Sequence, residues 1–134
     1  MKKNILIFVF LSTVIFSSCK KKVDAHIPPD VSFKTASGYL SKDSICSLQD
    51  TLKVGLVATK TEDDLKSFNV SVAYDGSVST NTFYNYLMND TEYTSYSKDI
   101  QIVTRNQPGS EKWIFSIVDR DGNITQKEIN LTVQ

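Results

Sequence analysis

Residues 111–133 read EKWIFSIVDRDGNITQKEINLTV. Trp113, Phe115 and Ile117 alternate with Ile114, Ser116 and Val118, and Ile129, Leu131 and Val133 alternate with Asn130 and Thr132. A period of two sends successive side chains to opposite faces of an extended chain, so each run predicts a strand with one face on a core. Asp121-Gly122 falls between the runs, and Asp-Gly suits a two-residue hairpin turn because both positions tolerate positive φ. The stretch therefore predicts a β-hairpin with strands at 111–119 and 124–133.

The same pattern continues upstream. Leu52, Val54, Leu56 and Ala58 alternate with Lys53, Gly55, Val57 and Thr59; Phe68, Val70, Val72 and Tyr74 do so with Asn69, Ser71 and Ala73. Ile100 and Ile102 alternate with Asp99 and Gln101. Turn chemistry separates the runs at Ser37-Gly38, Asp75-Gly76, Asn89-Asp90 and Pro108-Gly109. No segment sustains a helical period. Seven strands are expected, at 31–35, 52–60, 68–74, 82–87, 98–104, 111–119 and 124–133. That number and spacing suit an all-β, two-sheet antiparallel sandwich over residues 31–134.

The first thirty residues are of another kind. Lys2-Lys3 precede an apolar run, ILIFVFLSTVIF (5–16), which is followed by the small pair Ser17-Ser18 and then Cys19. This is the order of a secretory signal, here residues 1–18. A membrane-spanning helix needs about 20 apolar residues, more than this run offers. Phe16-Ser17-Ser18-Cys19 resembles the relaxed lipobox of Bacteroidota lipoproteins. The resemblance implies lipid attachment at Cys19 and cleavage before it. Residues 19–30 then read as the lipidated cysteine and a tether stiffened by Pro28-Pro29. Lys20, Lys21 and Lys22 beside the anchor add about 1 kcal/mol each of attraction to anionic head groups. Acidic residues soon after the cysteine resemble a surface-export signal in that group. Lysines stand there instead, so the expected location is the cell envelope, at the outer membrane and facing the periplasm.

The stretch 110–123, followed by Ile129, Leu131 and Val133, resembles the last two strands of small immunoglobulin-like lipoproteins of the Bacteroidota, and VSVAYDG (70–76) fits the same group. The resemblance implies an immunoglobulin-like β-sandwich and an envelope location, and no activity.

Chemistry is sparse. His26 is the only histidine and lies in the tether, which removes histidine-based triads and most histidine metal sites. No catalytic residue, metal or cofactor is expected. Beyond Lys22 there are ten basic and fifteen acidic residues, a poor electrostatic match for nucleic acid, so none is expected as a partner. Cys46 reads as a buried small hydrophobe or as a reactive thiol.

In an immunoglobulin-like topology three loops meet at the tether end, bringing Glu62, Asp63, Asp64, Asp90, Glu92, Asp119 and Asp121 together. Were a calcium ion held there, Asp63, Asp64, Asp119 and Asp121 would supply oxygens; the alternative is plain turn chemistry. Asp43-Ser44-Ile45 and Asp50-Thr51-Leu52 resemble the Bacteroidota O-glycosylation motif, with Ser44 and Thr51 as acceptors in the long 36–51 connection. Tyr84, Tyr86, Tyr93 and Tyr96 cluster in sequence with Phe83, either as an exposed binding platform or as packing at a sheet edge. The expected function is that of a non-catalytic envelope lipoprotein. Its membrane contact is lipid at Cys19, and its domain is an interaction module for a protein or glycan. The alternative is a structural or adhesive subunit that associates through sheet edges.

Overall fold

The computed structural model describes residues 25–134; the signal segment, Cys19 and Lys20 to Lys22 lie outside the described residues. Eight strands follow in order: β1 (Asp30–Phe33), β2 (Ser44–Cys46), β3 (Thr51–Thr59), β4 (Leu65–Tyr74), β5 (Asn81–Leu87), β6 (Ser95–Val103), β7 (Gly109–Asp119) and β8 (Ile124–Val133). They form a three-stranded sheet, β1-β3-β6, and a five-stranded sheet, β2-β8-β7-β4-β5. All pairings are antiparallel except that of β2, which runs parallel to β8. The fold is an immunoglobulin-like β-sandwich.

The core follows from the alternation. Val54, Leu56 and Ala58 of β3 and Ile100 and Ile102 of β6 meet Phe68, Val70, Trp113, Phe115, Ile117, Ile129 and Leu131 of the larger sheet in one buried cluster. Phe33 and Phe115 close the two sheets edge to face, with centroids 5.2 Å apart. Each fully buried large side chain contributes about 1.5–3 kcal/mol from leaving water.

Two expectations need correction. The 36–51 connection is not a free loop, because Ser44–Cys46 crosses to the larger sheet and pairs with Leu131, Thr132 and Val133. Three residues are too few for a period of two to stand out, yet the pairing buries Cys46 to 7% exposure. Residues 26–29, expected to belong to a free tether, are not free. Thr61 donates its hydroxyl to the carbonyls of Ile27 (2.8 Å) and Pro28 (3.0 Å), Thr125 donates to Pro29, and His26 Nδ1 lies 3.2 Å from Asp121. Residues 26–29 are thus docked on the sandwich.

Candidate functional site

Four groups of residues bear on function. The first is the tether end. The expected convergence of loops occurs: the Arg120 amide donates to the Asp64 carbonyl at 2.9 Å, the Lys60 amide to Thr94 and the Leu65 amide to Tyr93. Several acids in these loops are committed to the fold. Asp119 is fully buried and accepts the Asn123 amide at 2.8 Å and its side-chain N–H at 3.0 Å, closing the β7–β8 turn. Asp64 pairs with Lys60 at 2.9 Å, and this bond holds its carboxyl below the ordinary value. Asp121 faces His26. Among the described residues no three His, Cys, Asp or Glu side chains, Asp63, Asp64, Asp119 and Asp121 included, group in a way that could hold a metal ion.

The second group is the tyrosine cluster. Val70 pairs with Tyr84 and Ser71 with Thr82, so β5 bulges at Phe83. A bulge adds one residue and re-aims a side chain. Phe83 consequently lies edge-on to Trp113 (5.1 Å) while remaining 48% exposed, and Tyr84 packs inward on Phe68 (5.8 Å). Tyr84 stacks on Tyr86 and Tyr86 on Tyr96. Tyr96 is only 4% exposed, and burial pushes its phenol well above the ordinary range. It is therefore a core residue and not a surface anchor. Tyr86 donates to Glu92 at 2.9 Å and accepts from Asn89, and the Glu92 carboxylate raises its phenol. Tyr93 lies under the Arg120 guanidinium, 3.9 Å from the ring centroid. Together these rings close the side of the sandwich between the edge strands β5 and β6, with Tyr84, Tyr86 and Tyr93 half-buried.

The third group is on the outer face of the larger sheet, at the end away from the tether. The register aligns Ala73, Lys112 and Asn130 across three strands. The 75–80 turn rises beside them and leaves a concavity of about 510 Å³. Ala73, Ile114 and Val78 give it apolar surface; Ser77, Thr80, Ser110, Asn130 and Lys112 give it hydroxyl, amide and ammonium groups. A second hollow shares Asn130 and continues over Asp43, Ser44, Ile45 and Thr132. Ser44 is half-buried there, with its hydroxyl on the Ile45 carbonyl, and Asp43 accepts the Asn130 amide at 2.8 Å. Thr51 is exposed at the start of β3. The alternation on β7 and β8 contained this face, but nothing in the sequence marked it as hollow.

The fourth group stabilises the end of the sandwich away from the tether. Glu111 is buried and accepts the Trp113 indole N–H and the Arg105 amide, each at 2.8 Å. Arg105 makes a two-pronged pair with Asp75, which lowers the Asp75 carboxyl to about 2. Cys46 is buried and its thiol is raised, chiefly by desolvation, which favours the structural reading over the reactive one.

No protein-family model matches the sequence, and no curated protein matches it significantly. Solved structures do match in fold. A chitin-binding domain from Burkholderia pseudomallei superposes with a TM-score of 0.53 at 8% identity, over 70% of this chain and 58% of that one. A family 123 glycoside hydrolase from Clostridium perfringens matches with a TM-score of 0.51 at 9% identity, over 79% of this chain and 27% of the hydrolase. The chain thus spans less than two thirds of either protein. At these identities the likeness concerns the sandwich fold alone.

Proposed function

We propose that this protein is a lipid-anchored, non-catalytic envelope module that binds a glycan or an extended protein segment in the concavity over Ala73, Lys112 and Asn130. The observation that carries the reading is the hollow's position and lining. It opens at the end opposite the docked tether, and its rim is rich in hydroxyl and amide groups over an apolar floor. Ligand sites combine apolar surface with a few placed polar groups in this manner. The sandwich is also a fold on which a chitin-binding domain is built, so the scaffold is compatible with the role. A glycan is the favoured ligand, because Ser77, Thr80, Ser110 and Asn130 offer hydrogen-bond partners matched to sugar hydroxyls.

The test is binding of the purified protein to envelope glycans and to soluble oligosaccharides by titration calorimetry. Binding that falls at least about tenfold in Asn130→Ala and Ile114→Lys, with the melting temperature unchanged, supports the site. Full binding in both variants rules the concavity out. The anchor is tested separately: Cys19→Ser should move the protein from the membrane fraction to the soluble one.

A further inference from the structure

The outer face of the larger sheet carries two hollows that meet at Asn130: the concavity beside the 75–80 turn and the one over Ser44, Ile45 and Thr132. Register sets their meeting point. Ala73, Lys112 and Asn130 stand side by side on β4, β7 and β8, and the Asn130 amide donates at 2.8 Å to Asp43, the residue before β2. The line crosses four strands, and three strand intervals make it about 14 Å long. That is too long for one sugar ring and suits a short chain. The 75–80 turn walls one end, and Ile45, 67% exposed, stands at the other.

Two features restrict what can lie there. The first is hydrogen bonding. β4, β7 and β8 each have a ladder partner on both sides, so only side chains can read a ligand on this face. An extended peptide that adds to a sheet is held through its main chain at an open edge, which this face is not. Sugar hydroxyls can bond side-chain hydroxyls and amides directly. The second feature is charge. The charged residues lining the two hollows are Lys112, Glu111 and Asp43, and each is engaged within the protein. Lys112 pairs with Glu128 at 2.9 Å, Glu111 is buried on Trp113 and Arg105, and Asp43 accepts from the backbone and side-chain amides of Asn130. A charged ligand would give up water here without meeting a free counter-charge.

We propose that the two hollows form one groove whose ligand is a neutral, unbranched oligosaccharide of about four sugar units, laid across the strands with Asn130 beneath its middle. The inference rests on the glycan reading above and adds the length, charge and course of the ligand. The Asn130 side-chain N–H is held by Asp43 at 3.3 Å, so Asn130 meets a sugar hydroxyl as an acceptor. In the second hollow Ile45 offers apolar surface to the C–H side of a ring, and Thr132, its register partner, supplies a hydroxyl. A chain that fills both hollows gains from each, and the second contact comes at the high effective concentration that linkage provides.

The test titrates the full chain in detergent with two-sugar and four-sugar probes from neutral β-linked glucose and N-acetylglucosamine series, and with uronate oligomers of the same lengths. A neutral four-sugar probe is expected to bind at least about tenfold more tightly than its two-sugar counterpart and than the uronate of equal length. Ile45→Lys and Thr132→Lys, both at exposed positions, should lower four-sugar affinity to the two-sugar value, with two-sugar affinity and melting temperature unchanged. Equal affinity for the two lengths, full four-sugar binding in both variants, or uronates bound as tightly as neutral probes overturns this inference and leaves the larger hollow as a glycan site. Binding of no oligosaccharide, binding that survives Asn130→Ala and Ile114→Lys, or binding of a neutral Gly-Ser-Thr peptide in place of every sugar overturns the glycan reading and this inference with it.

Discussion

At the residue scale, strand parity decided the roles of two acids that turn chemistry alone misassigns. Glu111 and Asp119 share the parity of Trp113, Phe115 and Ile117, so β7 carries a buried carboxylate at each end. Asp119 beside Asp121-Gly122 reads as a loop acid, but the count along the strand points it inward. Gly109 illustrates a requirement the sequence does not display. Its φ of 147° lies where side chains are strained, and a Cβ there would collide with the Arg105 guanidinium and the Asp75 carboxylate. Gly109→Ala should therefore destabilise the fold by about 1–3 kcal/mol, read by denaturant titration. Asp75 itself predicts a pH effect. Its carboxyl titrates near 2 in the folded protein against an ordinary 3.8. A depressed carboxyl contributes stability that is fully present above the ordinary value and is lost as the pH falls towards the folded one. The melting temperature should thus drop between about pH 4 and pH 2, and Asp75→Asn should flatten that segment of the curve.

At the element scale, seven of the eight strands were legible, the four-residue β1 and the bulged β5 among them, and only the three-residue β2 was not. The alternation located β3, β4, β7 and β8 to within a few residues, because each buries one face against the opposite sheet. β6 begins at Ser95, three residues ahead of expectation, and this brings Tyr96 into the core. The inward row is Tyr96, Lys98, Ile100 and Ile102, and Lys98 masks it; its ammonium sits over the Tyr84 ring at 5.7 Å. The β5 bulge reverses the parity of Phe83, which no counting rule foresees. β2 was invisible for want of length, and its placement makes a chemical prediction. Cys46 is buried and its thiolate disfavoured by desolvation. Thiol reagents should therefore modify it roughly a hundredfold more slowly in the native protein than in denaturant. Equal rates in both states would mean that β2 detaches freely from β8.

At the scale of the whole molecule, orientation is the main consequence. Residues 26–29 are fastened to Thr61, Asp121 and Thr125, so on the anchored reading only the residues up to Ala25 separate Cys19 from the sandwich. Six residues reach at most about 20 Å. On the anchored reading, the 60–64, 88–94 and 119–123 loops lie next to the lipid, while the 75–80 turn stands about 30 Å further out along the ten-residue strands. A fluorophore on Thr91→Cys should transfer energy strongly to an acceptor lipid, and one on Val78→Cys weakly; equal transfer from both would mean that the domain lies flat.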